Sequence, residues 1–202
     1  MPPIANAART KTIAVLALGN LMHGDDGVGI HVLRALEAEN FALTAECEAR
    51  GIELRWIEGG TLGLELTHSL EGVEYLLVLD AVAMQQASGT VARYEGDSLY
   101  QLPVGRSVHL MGLSDLLVAI QLLGNPPREA ILLGVEPAST AWGLEMSAAV
   151  TAALPLLMGV AMKQIHAWME SANHGGCRGS RACASAGQCR SDQEFLGDFA
   201  LT

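Results

Sequence analysis

The chain has 202 residues, of which 50% are hydrophobic and 17% are charged, so it is long and apolar enough to fold around one sizeable core. This composition excludes disorder for most of its length. The 22 Asp and Glu against 12 Lys and Arg give a formal net charge of −10. Because such an acidic surface repels phosphate groups, the charge argues against nucleic-acid binding.

Strand-like apolar runs alternate with helical patterns along the chain. The predicted strands are Thr12–Leu18, Glu53–Ile57, Tyr75–Leu79, Thr90–Tyr94 and Ala130–Val135. The predicted helices cover about residues 26–38, a short stretch near Leu64–Leu70, then His109–Leu123 and Ser147–Met169. Because strands and helices alternate, the sequence predicts an α/β fold, a three-layer sandwich with a mostly parallel twisted sheet between helices. The Thr90–Tyr94 strand is expected near an edge of this sheet.

The composition changes after Glu170. We predict one domain over residues 1–170 and a flexible tail over residues 171–202, because the tail is rich in Gly, Ser, Ala and Arg and has little to bury. Cys177, Cys183 and Cys189 are separated by five residues each, whereas zinc ribbons bring their ligands in closer pairs. A disordered extension is therefore favoured over a metal-binding tail, and the role of these cysteines stays open.

Neither a signal peptide nor a membrane span is expected. Residues 1–11 hold no apolar stretch suited to a signal peptide. The longest uncharged run, Met146–Met162, is shorter than the roughly 20 residues that cross a bilayer. It is expected to be a buried helix, kinked or restarted at Pro155. The sequence thus predicts a cytoplasmic protein with no membrane insertion.

The segment Gly19–Gly29 directly follows the first predicted strand and carries Asp25 and Asp26 in a turn that leads into a helix. Side chains at such a turn stand at the carboxyl end of a strand, where open α/β proteins build their sites. Near a helix N-terminus Asp26 can stay ionised and ligate a cation. The alternative is that both acids only cap the helix, while Gly27 and Gly29 allow close packing.

Asp80 and His109 occupy places comparable to that of Asp26. Asp80 closes the third strand, and His109 begins a predicted helix. Two carboxylates and one imidazole suit a divalent transition metal such as nickel or zinc. Each residue also has a purely structural interpretation, as a turn or cap residue or as a hydrogen-bonded histidine. His23 and His31, both close to the first motif, are alternatives to His109.

The chain resembles the hydrogenase maturation endopeptidases, which trim the C-terminal extension of the nickel-iron hydrogenase large subunit. The blocks that carry the resemblance, in chain order, are Gly19–Gly29, Gly59–Gly63, Asp80–Ala81, His109–Asp115 and Leu133–Pro137. It extends over roughly Thr12 to Met169. One departure is Glu58, which stands where similar members have Asp; this position touches substrate choice.

The resemblance implies an endopeptidase that acts on the large-subunit precursor after nickel insertion, as a maturation checkpoint. It assigns metal binding and catalysis to Asp26, Asp80 and His109, with nickel supplied by the substrate. Gly59, Gly60, Thr61 and Gly63 fall where relatives recognise their substrate. The attacking water could be metal-bound or activated by a carboxylate, as in an aspartic-type protease.

Two other functions are weighed against this one. A non-catalytic nickel carrier or chaperone could use the same three ligands together with the tail. A nucleotide-binding protein is disfavoured, because Gly27 and Gly29 lack the third glycine of a Rossmann loop and the adjacent acids would repel a pyrophosphate. Cys47 is disfavoured as a nucleophile, because its Glu-rich surroundings should raise its pKa. The sequence holds neither a Gly-x-Ser-x-Gly elbow nor a His-Glu-x-x-His helix.

Overall fold

The computed structural model describes residues 11–100, 108–173 and 193–195. In this part of the chain six strands form one sheet in the order β2-β1-β3-β5-β4-β6. The strands are β1 Lys11–Leu18, β2 Ile52–Gly60, β3 Tyr75–Ala81, β4 Val91–Glu95, β5 Glu129–Val135 and β6 Gln193–Phe195. The neighbours among β1, β2, β3 and β5 pair in parallel, whereas β4 is antiparallel to both β5 and β6.

Four α-helices accompany the sheet in the described residues: α1 Val28–Glu39, α2 Phe41–Ala49, α3 Val108–Leu122 and α4 Ala148–Asn173. Short 3-10 helices lie at Gly24–Gly27, Leu64–Thr67 and Gly96–Tyr100. The five predicted strands and four predicted helical segments are confirmed to within a few residues. α2 has no predicted counterpart.

The helices cover both faces of the sheet, which confirms the three-layer α/β architecture. The sheet has one hydrophobic core on each face, and alternate residues of β1 pack into one or the other. Ile13, Val15 and Ala17 pack with buried residues of α1, α2 and α4. Leu16 and Leu18 pack on the other face, with α3 and the Leu64–Thr67 helix. Burial on both faces explains why the central strands are continuous apolar runs instead of alternating ones.

α4 runs without interruption through Pro155, so the kink or restart expected there is replaced by one 26-residue helix. Pro155 falls in the second turn and is exposed, on the side away from the sheet. α4 is long and apolar enough to cross a membrane, but one of its faces is buried in the core through Leu157, Ile165 and Trp168. The ring of Trp168 lies 5.3 Å from that of Tyr75 on β3. This is the packing of a helix that covers the sheet with one of its faces.

The structure adds two facts about the predicted tail. α4 continues past Glu170 to Asn173, and Gln193–Phe195 pairs with β4 as the outermost strand. Cys177, Cys183 and Cys189 lie outside the described residues, and the division at residue 170 stays a prediction.

Candidate active site

The four parallel strands end at one edge of the sheet, called here the carboxyl edge. The first motif, Gly19–Gly29, is folded tightly onto this edge by two glycines. A Cβ on Gly19 would lie 2.0 Å from the carbonyl oxygen of Asp26, and the φ of Gly19 is +124°. A Cβ on Gly29 would lie 2.3 Å from the carbonyl oxygen of Leu79 and 2.6 Å from that of Leu18. Only glycine lets the start of α1 lie across the ends of β1 and β3.

This packing brings Asp26, in the 3-10 helix that follows β1, to the same edge of the sheet as Asp80 on the adjacent strand β3. Asp26 precedes α1, and its Oδ2 accepts a hydrogen bond of 2.9 Å from the Asn20 backbone N–H. Asp80 follows Leu79 on β3, and its Oδ1 accepts a bond of 2.8 Å from the N–H of Ala81. Both side chains are buried. Buried carboxylates are costly unless charged or polar partners face them, and these two acids form the candidate site.

The Gly59–Gly63 segment adjoins the first motif at the same edge. The Gly19 N–H donates to the Gly60 carbonyl at 3.0 Å, and the Leu62 N–H donates to the Gly59 carbonyl at the same distance. Gly60 has a φ of +56°, and Thr61 is exposed. The predicted recognition segment is therefore a tight turn with an exposed tip beside the turn that carries Asp26.

His109 lies in the first turn of α3, and its side chain lies outside the described residues. α3 packs through Leu113 and Leu117 on the face of the sheet that also holds Val78 and Val82, which lie two residues before and two residues after Asp80. Among the described side chains no group of three His, Cys, Asp or Glu residues could hold a metal. Carboxylate oxygens are ligands that hard or borderline cations accept, and the ligand roles of Asp26, Asp80 and His109 all stay predictions.

The capping interpretation of the two acids is wrong. α1 begins at Val28 with Gly27 as its N-cap residue, so neither acid occupies the capping position. The buried Asp25 carboxylate instead accepts backbone N–H bonds from residues 138–147, which follow β5. Burial opposes ionisation of Asp25, but the hydrogen bonds from Ser147, Ala138 and Ser139 outweigh it and lower its pKa.

Glu136, which follows β5, is a buried acid that sequence reasoning did not single out. Its Oε2 accepts hydrogen bonds from the backbone N–H groups of Met84, at 2.5 Å, and Gln86, at 3.1 Å. Between them Gln85 adopts a φ of +62°. Glu136 thereby holds the turn that follows Asp80. No local pattern marks this role, because the partners are about fifty residues apart.

The structure also gives the surroundings of Glu58, Cys47 and His31. Arg34 on α1 holds Glu58 through two hydrogen bonds of 2.5 and 2.8 Å, which lower the pKa of Glu58. Cys47 is buried, and burial, followed by the charge of Glu46, raises its pKa, so a nucleophilic role is disfavoured as expected. Burial and the charge of Arg34 lower the pKa of His31.

A model of the hydrogenase maturation protease family matches residues 31–164, a range that includes Asp80 and His109. The hydrogenase expression/formation protein HupD of Rhodobacter capsulatus is 29% identical over 165 residues, which cover 80% of this chain and 75% of that protein. The hydrogenase 2 maturation protease of Escherichia coli is 29% identical over 155 residues, which cover 76% of this chain and 87% of that protein.

Solved structures show the same fold. The hydrogenase maturating endopeptidase HybD from Escherichia coli superimposes with a TM-score of 0.67 at 24% identity, covering 78% of this chain and 93% of that one. The NiFe hydrogenase maturation protease HybD from Thermococcus kodakarensis gives a TM-score of 0.60 at 26% identity, covering 77% of this chain and 99% of that one. The chain belongs to the hydrogenase maturation protease family, and its function is that of a hydrogenase maturation endopeptidase.

Proposed function

We propose that this endopeptidase removes the C-terminal extension of a nickel-iron hydrogenase large-subunit precursor, and does so only after nickel has been inserted. The nickel arrives with the substrate, and Asp26, Asp80 and His109 bind it. Cleavage then reports that the metal is in place, which makes the enzyme a checkpoint in maturation.

The observation that carries this proposal is the placement of two buried acids at one edge of the sheet, after β1 and at the end of β3, beside a glycine turn with an exposed tip. Asp26 and Asp80 place two carboxyl groups at one edge of the sheet, and the Gly59–Gly63 turn at that edge has Thr61 and Leu62 exposed at its tip. Since the rest of the surface is also acidic, a substrate that brings its own cation is favoured over an anionic one.

The residues of this chain have a defined part in the chemistry. A bound nickel ion would supply Lewis-acid polarisation of the scissile carbonyl or of a water molecule. A carboxylate of the Asp26–Asp80 pair can accept the proton of the attacking water and return it to the leaving amine, as in an aspartic-type protease. Asn20 and Ala81, whose N–H groups donate to these carboxylates, hold them in place.

The test is incubation of the purified enzyme with nickel-loaded and nickel-free precursor, followed by intact-mass measurement of the large subunit. We expect a mass loss only with the nickel-loaded form. Asp80→Asn and His109→Ala should slow this cleavage by about a hundredfold or more, because general acid–base and ligand groups contribute at that scale.

Matched controls are Asp97→Asn, an exposed acid in the 3-10 helix that follows β4, and His166→Ala, an exposed histidine on α4. Both should cleave like the parent enzyme. Equal cleavage of the nickel-free precursor would contradict the checkpoint, and normal cleavage by His109→Ala would remove that residue from the site. Transfer of nickel without any mass loss would support the carrier alternative instead.

A further inference from the structure

The loop of residues 138–147, which joins β5 to α4, is closed at its base by Asp25. The Asp25 Oδ2 accepts the backbone N–H groups of Ala138 and Ser139 at 2.8 and 3.2 Å. Its Oδ1 accepts the N–H of Ser147 at 2.6 Å. One buried carboxylate thus ties together both ends of a ten-residue loop, and hydrogen bonds to a charged acceptor are the stronger kind.

The tip of this loop is also joined to the first motif. The Gly24 N–H donates to the Gly143 carbonyl at 2.7 Å, and the Gly143 N–H donates to the Met22 carbonyl at 2.9 Å. The His23 Nδ1 lies 3.1 Å from the Thr140 carbonyl oxygen. Loop 138–147 and residues 22–25 therefore form one backbone-bonded unit that ends directly at Asp26.

This unit carries large apolar side chains that the fold leaves in solvent. Trp142 is 74% exposed and Leu144 is 68% exposed, with Met22 beside them on the bonded segment. The Trp142 ring makes an edge-on contact with the His23 ring, with centroids 5.4 Å apart. Exposed tryptophan on an ordered loop is unusual for a monomeric surface, and tryptophan dominates the binding energy of protein interfaces.

We propose that Trp142 is a specificity-determining residue that binds an apolar side chain of the polypeptide substrate, and that Asp25 is the positioning residue that holds its loop. This rests on the proposed function. The occupant is the substrate itself, because the segment 22–25 and the loop bonded to it directly adjoin Asp26, where the proposed function puts the scissile bond. Glu145 is the one charged residue of this loop, so an uncharged apolar stretch of substrate fits it.

The first test is steady-state cleavage of the nickel-loaded precursor by Trp142→Ala. We expect KM to rise about tenfold, since tryptophan anchors commonly contribute this much, with kcat changed by less than about threefold. Phe41→Ala is the matched control, because Phe41 is an 84% exposed aromatic at the start of α2, beyond the far end of α1. It should leave both constants unchanged.

The second test is Asp25→Asn, which keeps the shape of the side chain but turns an amide N–H₂ toward backbone donors. We expect a rise in KM comparable to that of Trp142→Ala. The double variant should have a KM no higher than that of the single variant with the larger effect, because both changes act through one loop. If the role of Asp25 is purely structural, Asp25→Asn will lower the melting temperature and leave KM unchanged. The double variant will then have the same KM as Trp142→Ala.

Failure of this inference is distinguishable from failure of the proposed function. If the parent enzyme cleaves the precursor and Trp142→Ala keeps the parental KM, the inference is wrong and the proposed function stands. If the parent enzyme neither binds nor cleaves the precursor, both are wrong. If Trp142→Ala instead abolishes a dimer seen by sedimentation and leaves KM unchanged, the loop serves a second copy of the chain.

Discussion

In the first motif, two positions require glycine because backbone oxygen atoms lie too close to them for any Cβ. Gly19 and Gly29 lie where any Cβ would collide with backbone oxygens of Asp26, Leu79 and Leu18. The carbonyl oxygens belong to strands and to the motif itself, so they cannot move aside. Asp25 and Asp26 are neighbours in sequence with different tasks, one bonded to a distant loop and the other at the candidate site.

The space around two helical glycines predicts opposite effects of alanine substitution on stability. Gly29→Ala should prevent folding or destabilise it by several kcal/mol, on the order of other overpacking changes or more, since the new Cβ would lie 2.3 Å from the Leu79 carbonyl oxygen. Gly159→Ala on α4 meets no atom within 4 Å and should stabilise the protein by about 0.5–1 kcal/mol. Chemical denaturation of both variants checks this; a stable Gly29→Ala protein would contradict the packing described.

At the scale of elements, β4 is a short strand that the fold buries between β5 and β6. Tyr94 on β4 is nearly inaccessible, and burial together with the charge of Glu136 raises its pKa to about 12. The folded protein therefore keeps this phenol neutral in a range where the unfolded chain, with its ordinary value near 10.0, loses the proton. Stability must fall as the pH rises through that window.

This predicts an alkaline loss of stability that Tyr94→Phe lacks. Between about pH 9 and about pH 11.5 the parent should lose about 2 kcal/mol more than the variant, since one pKa unit is worth about 1.4 kcal/mol. Urea unfolding of both proteins at the two pH values measures the difference. Identical losses would mean that Tyr94 titrates normally in the fold. Other titrating groups cancel in the comparison.

Some of the helices and strands could be predicted from the sequence pattern, and others could not. The continuous apolar runs of β3 and β5 and the spacing on α3 and α4 made these elements predictable, because burial of whole faces leaves a periodic trace. α2 buries only Leu43 and Cys47, so its sequence has too little hydrophobic periodicity to be recognised as a helix. The antiparallel direction of β4 leaves no periodic signal, and no local pattern shows that a strand at residues 193–195 completes the sheet.

At the scale of the whole molecule, the division at residue 170 can be tested directly. Deleting residues 174–202 should leave a cooperatively folded enzyme, because β4 keeps its pairing with β5 after β6 is removed and α4 retains its buried face. We expect cleavage of the precursor to persist in the truncated protein. Circular dichroism melting and the intact-mass assay provide the measurements, with the full chain as control. Loss of cleavage with retained folding would give the cysteine-containing tail a role in function.

The amino-acid sequence by itself determined the α/β class and the chain order of β1 to β5 and of the helices other than α2, and it supplied the motif blocks that resemble the family and the candidate residues Asp26, Asp80 and His109. These follow from periodic burial and from motifs whose residues are close together in the chain. Only the tertiary structure decided that Asp25 bonds a loop more than a hundred residues away, that Glu136 holds the turn after Asp80, and that Trp142 stands exposed beside the first motif. Hydrogen bonds between distant backbone segments depend on how the strands are ordered in space, and no local pattern carries that information.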